Sequence, residues 1–227
     1  HILPDWLLVY RVEDDVLVAE YTINYKKTHS QTLLPMIDEI FSMVQLKPDD
    51  VDVIAVSKGP GSFTGLRIGA ATGKGIALAL DKKMVAVPTL AAMAYNLYGD
   101  SRYICPVMDA RRKHLYSGIY TFDGDRLITV RDVNLESYDE LAEELAGLDG
   151  QVVLVGDGVD VAGDVLKEQL GDKCVLAPAH IKTQRAGSVA LLAKQMADNG
   201  EYTDADELKP DYLRPSQAER EKAQHES

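Results

Sequence analysis

Three stretches of this chain have residue types and spacing that could do chemistry. The first is Gly59-Pro60-Gly61, between an apolar run ending at Val56 and a glycine-rich segment opening at Ser62. A strand, a glycine turn and a helix start together suit an anion, because backbone N–H groups and the helix dipole converge there. Two nucleotide motifs nevertheless fail on spacing. Gly73-Lys74 is followed by Gly75 rather than Ser or Thr, and position 68 is Ile, so there is no P-loop; Gly59, Gly61 and Gly65 leave one residue too many for the dinucleotide fingerprint. The second stretch, Asp109-Ala110-Arg111-Arg112-Lys113-His114, is the most basic short segment and could touch a phosphate backbone or an acidic partner. Lying between two expected strands, it also reads as a solvated hairpin turn. The third, Gly156-Asp157-Gly158, has the make-up of a nucleotide-contacting loop, although a strand-to-helix turn alone would demand such residues. His29, His114 and His180 are isolated, with no metal-ligand pairing. No Gly-x-Ser-x-Gly elbow is present. No pair of carboxylates stands in an apolar neighbourhood that would tune an acid. Nothing here makes a self-sufficient active site.

The elements that would position these stretches follow from hydrophobic period and turn residues. Leu7–Val12 and Val16–Tyr25 read as strands joined by a turn at Glu13-Asp14-Asp15. A helix from Ser30 to Val44 follows, with Leu33, Leu34, Ile37, Ile40, Phe41 and Val44 at helical spacing; Pro35 makes it start near Thr32 or bend. Val51–Val56 reads as a buried strand. A helix capped by Ser62, a short strand Met84–Val87 and a helix Thr89–Leu97 capped by Thr89 complete the first half. Gly99-Asp100-Ser101 marks the boundary between lobes spanning residues 1–98 and 99–227. The second half offers three antiparallel strands, Tyr103–Met108, Leu115–Phe122 and Leu127–Val133, the last two joined by Asp123-Gly124-Asp125. Helix Tyr138–Leu145, strand Val152–Val155, a further helix, strand Cys174–Leu176 and helix Ala186–Ala197 follow. Both halves run antiparallel strands first and helix–strand alternation second, which suggests a duplicated α/β unit. The tail after Pro215 is polar and expected to fray.

Gly61, Gly65, Gly69, Gly73 and Ala77 recur every four residues, so one ridge of their helix is nearly bare backbone. Each interior glycine costs roughly 1 kcal/mol against alanine, and close approach of another helix or backbone is the usual compensation. Acids outnumber bases 36 to 24, for a formal charge of −12, which argues against holding nucleic acid by bulk electrostatics but leaves room for a local basic patch. Two cysteines, Cys105 and Cys174, fit a reducing cytoplasm. No apolar stretch reaches membrane-spanning length. The opening His1-Ile-Leu-Pro-Asp-Trp6 has no signal-peptide pattern, and a start without Met suggests a trimmed or altered beginning.

The segment Gly59-Pro-Gly-Ser-Phe-Thr-Gly-Leu-Arg-Ile-Gly69 resembles the hallmark of the bacterial TsaB (YeaZ) family. Thr28-His29-Ser30 leading into Leu33-Leu-Pro-Met-Ile-Asp38, Asp109-Ala-Arg-Arg112 with Tyr116, and Pro210-Asp-Tyr-Leu-Arg-Pro215 with Ala218-Glu219 agree with it in order. The resemblance implies an α/β, two-lobed fold of the actin-like/sugar-kinase/Hsp70 ATPase (ribonuclease H-like) type, with mixed sheets flanked by helices. It implies a non-catalytic scaffold in forming threonylcarbamoyladenosine at the tRNA adenosine that follows the anticodon. The partners implied are a TsaD-type transferase, joined through N-terminal-lobe helices, and a TsaE-type ATPase. Contact with tRNA is expected to be indirect, and a homodimer is expected when the transferase is missing. ATP and metal belong to those partners, so no cofactor is expected in this chain. Placed on the bare ridge, the partner interface would comprise Gly65, Gly69, Gly73 and Ala77 at closest approach, with Met36, Leu66 and Ile76 around them. The family usually opens with a strand ending Asp-Thr-Ser; that triplet is missing from His1–Tyr10. The alternative reading is a stand-alone ATPase or kinase of the same fold.

Overall fold

The computed structural model describes residues 5–11, 16–23 and 29–211. The expected turn at Glu13–Asp15, Thr28, and the C-terminal motif and tail beyond Asp211 lie outside those residues. Strands β1 (Asp5–Arg11) and β2 (Val16–Ile23) pair antiparallel, as the alternating sequence predicts. Helix α1 (His29–Val44) follows; it begins ahead of Thr32 and runs through Pro35. Thr32, Met36 and Ile40, four residues apart, form its buried ridge.

Strand β3 (Val53–Gly59), helix α2 (Phe63–Leu80) and strand β4 (Lys83–Pro88) form a parallel β-α-β unit. The alternation of β-strand side chains sorts its core onto two faces. Ile54, Val56, Met84 and Ala86 pack with Ala70 and Ala77 of α2. Val53, Ala55, Val85 and Val87 pack against the last helix among the described residues. At the start of α2 the Ser62 hydroxyl accepts the Gly65 N–H at 3.3 Å, as the sequence predicts. Ser62→Ala is expected to cost about 1 kcal/mol, read from the midpoint of chemical unfolding at constant m-value.

Helix α3 (Thr89–Ala94) runs into a short 3-10 turn at Tyr95–Leu97. Thr89 is not its cap, contrary to expectation. The capping position falls on Pro88, and the Thr89 hydroxyl instead accepts the Gly59 N–H at 3.1 Å, tying the two strand-to-helix turns of this lobe together.

The second lobe is a five-stranded mixed sheet ordered β7-β6-β5-β8-β9. Strands β5 (Tyr103–Arg111), β6 (His114–Asp123) and β7 (Arg126–Ser137) are antiparallel; β8 (Val152–Val155) and β9 (Cys174–Leu176) extend the sheet in parallel from β5. Cys105, Val107, Val152 and Leu154 face helices α4 (Tyr138–Ala146) and α5 (Val159–Leu170), while Ile104, Met108, Val153 and Val155 face α3. Helix α4 begins with a capping box, the Ser137 hydroxyl accepting the Glu140 N–H at 3.3 Å and Glu140 accepting the Ser137 N–H at 2.8 Å.

The strands divide at Gly99–Ser101, but the helices do not. Helix α3 buries Leu90, Met93 and Ala94 against the second sheet. After the short helix α6 (Ala179–Lys182), helix α7 (Ala186–Asp198) returns to cover the β3–β4 unit. Its start is held by Glu20 of β2, which accepts the Gly187 N–H at 3.1 Å and pairs with Arg185 at 2.8 Å. The final described segment lies along the first lobe: Thr203 donates to the Met84 carbonyl at 2.9 Å, Leu208 is buried beside α2, and Asp211 donates to the Lys58 carbonyl at 2.7 Å.

Candidate partner interface

Helix α2 carries small residues in two different environments. Leu66, Ala70, Gly73 and Ala77, spaced four, three and four apart, face the chain's own strands. A Cβ on Gly73 would lie 2.6 Å from Val56 Cγ1 and 3.2 Å from Met84 Cε, so only glycine lets the helix sit that close to β3. Gly69 and Gly75 are different: a Cβ there meets nothing within 4 Å. Gly65 and Ile76 are half-buried.

This divides the interface expected from the sequence. Gly73, Ala77 and Leu66, together with Met36 on α1, belong to the interior of their own lobe, and their assignment to a partner surface is corrected. Gly65, Gly69 and Ile76 remain at the surface. The cause is helix geometry: a four-residue step turns about 40°, so Gly65 and Ala77 point roughly 120° apart. One ridge therefore cannot serve one partner along its whole length.

Both helices also expose large apolar side chains, of which the sequence periodicity singles out only Leu34. Phe63 and Leu78 on α2 are 36% and 64% exposed, and Leu34 and Met43 on the adjacent α1 are 57% and 67% exposed. Arg67 sits 5.4 Å above the Phe63 ring. Leu33, Ile37 and Phe41 are half-buried, while Ile40 belongs to the core.

The glycine turn that the sequence offered as an anion site is already occupied. The Gly59 N–H is committed to Thr89, and a Cβ on Gly59 would lie 2.7 Å from the Asp211 carbonyl oxygen. The Asp211 carboxylate stands 3.4 Å from Lys58 Nζ. A cavity of about 350 Å³ opens beside this turn, lined among others by Lys58, Tyr120, Asp132 and Asp211. Among the described residues its charged lining is two carboxylates and one ammonium. Among the described residues no cluster of three His, Cys, Asp or Glu could hold a metal ion, and no helix is long and apolar enough to cross a membrane.

The Gly156–Gly158 loop is explained by packing. Gly156 has φ +115° and a Cβ on it would lie 2.1 Å from the Val107 carbonyl oxygen; the Gly158 N–H donates to that same oxygen at 3.0 Å. Between them, burial pushes the Asp157 carboxyl up to about 6, with the Asp109 N–H partly opposing the shift and one fully buried oxygen left without a partner. Because the folded value lies above the ordinary one, this group favours folding below about pH 4. That contribution is lost as pH rises through about 6. Asp157→Asn removes the ionisation, and its stability relative to wild type is expected to rise between pH 4 and 7 by roughly 2–3 kcal/mol. Urea unfolding across that range checks it; a difference independent of pH would refute the buried-charge account.

The mixed sheets with flanking helices define an actin-like ATPase-type protein. A family model described as TsaD, tRNA N6-adenosine threonylcarbamoyltransferase, matches residues 16–222. The chain is 31% identical over 211 residues to the tRNA threonylcarbamoyladenosine biosynthesis protein TsaB of Bacillus subtilis (strain 168), covering 92% of this chain and 89% of that one. It is also 31% identical over 195 residues to TsaB of Escherichia coli (strain K12), covering 83% and 81%. A solved structure described as YeaZ from Pseudomonas aeruginosa superposes with a TM-score of 0.72 at 25% identity, covering 86% of this chain and 89% of that one. The chain belongs to the TsaB (YeaZ) family.

Proposed function

We propose that this chain works in tRNA threonylcarbamoyladenosine biosynthesis as a non-catalytic subunit, pairing with a TsaD-type transferase through the outer faces of α1 and α2. The supporting observations are Gly69 and Gly75, where a Cβ would meet nothing within 4 Å, and the exposed Leu34, Met43, Phe63 and Leu78 on the same two helices. Glycines weaken a helix, so two that their own lobe leaves uncovered need a compensating neighbour. A backbone approached that closely by a second helix supplies it. The same surface would pair two copies of this chain when the transferase is missing. A TsaE-type ATPase joins the assembly, nucleotide and metal reside in the partners, and the complex works in the cytoplasm. The alternative of a stand-alone ATPase is disfavoured by the acidic lining of the cleft and the Asp211 backbone against the glycine turn.

Co-expression with a TsaD-type transferase from the same source tests the reading. A stable complex is expected for the wild-type chain, and Gly69→Leu is expected to lose it. Equal assembly and equal tRNA modification by that variant would sink the interface. Micromolar binding of magnesium-ATP to the isolated chain would favour the ATPase instead.

A further inference from the structure

The two hairpins of the second sheet turn on different residues. The β6–β7 turn uses Gly124, with φ +63°, as a tight two-residue loop normally demands. The β5–β6 turn joins the paired residues Arg111 and His114 through Arg112 and Lys113 alone. Both central residues have positive φ, +56° and +58°, and Arg111 before them has +68°. Turns with two left-handed central residues favour Asn-Gly, because long L side chains are disfavoured there. Turn stability alone therefore does not account for an arginine and a lysine at these positions.

Their charges are also uncompensated. Asp109, the acid beside them, is committed to Arg111, accepting its N–H at 2.8 Å and pairing with its guanidinium at 3.0 Å. Glu140 on the neighbouring helix is committed to Ser137. The Arg112 carbonyl is 2.8 Å from His114 Nδ1. Among the described residues neither the Arg112 guanidinium nor the Lys113 ammonium has an ion-pair partner, and both side chains are exposed. On a chain of net charge −12 this is an exposed, strained, locally cationic tip at one end of the sheet.

We propose that this tip grips the phosphate backbone of the tRNA when the chain is assembled with its transferase, a direct contact where an indirect one was expected. The inference rests on the functional reading above, which puts an RNA substrate beside this chain. An exposed tip presenting two cations with no ion-pair partner among the described residues suits a phosphate run, where each bound cation releases counterions. A flat protein interface would instead need the buried apolar centre that this tip lacks. Because these contacts read no bases, the tip contributes affinity and positioning while leaving sequence choice elsewhere. Strain held at a displayed residue is the pattern seen where function outranks local stability.

The test uses the double variant Arg112→Asn, Lys113→Gly, which improves the turn while removing both charges, so loss of folding cannot mimic loss of binding. Binding of an unmodified tRNA transcript to the assembled complex is measured across a salt titration. The variant is expected to keep or raise the Tm, to bind about tenfold more weakly at low salt, and to lower the salt slope by roughly two. The charge-conserving swap Arg112→Lys, Lys113→Arg should retain the wild-type slope. An unchanged slope and affinity in the double variant, with assembly intact, overturns the proposal and leaves the functional reading standing. Lost assembly with normal tRNA binding per assembled complex also overturns it, and assigns the tip to an acidic protein face. A wild-type chain that does not assemble with the transferase sinks the functional reading, and this inference with it.

Discussion

Gly73→Leu is expected to be the most destabilising single change on α2. The added Cβ would lie 2.6 Å from Val56 Cγ1, and the side chain beyond it would enter the layer holding Met84, Ile54 and Ala77. Helix and strand must separate, or several core side chains must leave their rotamers. Overpacking of this kind costs about 3 kcal/mol, against a propensity gain of roughly 1 kcal/mol from replacing glycine in a helix. The net loss of about 2 kcal/mol should lower the Tm by roughly 4–8 °C for a chain of this size. Differential scanning calorimetry reads it directly. A variant as stable as wild type would mean that α2 lies farther from β3 than the structure places it.

Gly69→Leu, one turn earlier, is expected to behave in the opposite way. A Cβ there meets nothing within 4 Å, so the isolated chain should keep or slightly raise its Tm. The effect appears on assembly. If a second helix packs onto that face, a leucine forces the two backbones apart and should cost about 3 kcal/mol, more than a hundredfold in the Kd of the transferase complex. Titration of the labelled transferase with each variant separates the two glycines. Gly69→Leu should lose affinity without losing stability, while Gly73→Leu should lose stability first. Loss of both properties in both variants would show that the two environments are not independent.

Much of the order of elements was legible in the sequence. Periods of two and of about 3.6 placed the strands and the long helices, because both sheet faces and the inner helix faces are lined with apolar residues at those spacings. Ser62 was readable as a cap because a hydroxyl before a helix has a backbone donor within reach. Thr89 looked equivalent and was not, since its partner, the Gly59 N–H, lies 30 residues away in sequence. Pro35 suggested a helix that starts near Thr32 or bends, whereas α1 begins earlier, at His29, with Pro35 inside it.

The glycine ridge marks the limit of that reading. Spacing established by itself that α2 carries bare backbone along its length, and the motif around it pointed to the family. Which glycines meet a partner was a matter of rotation about the helix axis relative to β3, and that depends on strands the helix does not contain. The same holds for the charges. Asp211 sits at the Gly59 turn because the last described segment returns to the first lobe, Asp157 is raised because β5 closes over its loop, and among the described residues Arg112 and Lys113 lack an ion-pair partner because Asp109 and Glu140 are engaged elsewhere. Local pattern determines what an element is, through its backbone period and capping groups. What each side chain faces is decided by long-range packing, which a linear spacing does not encode.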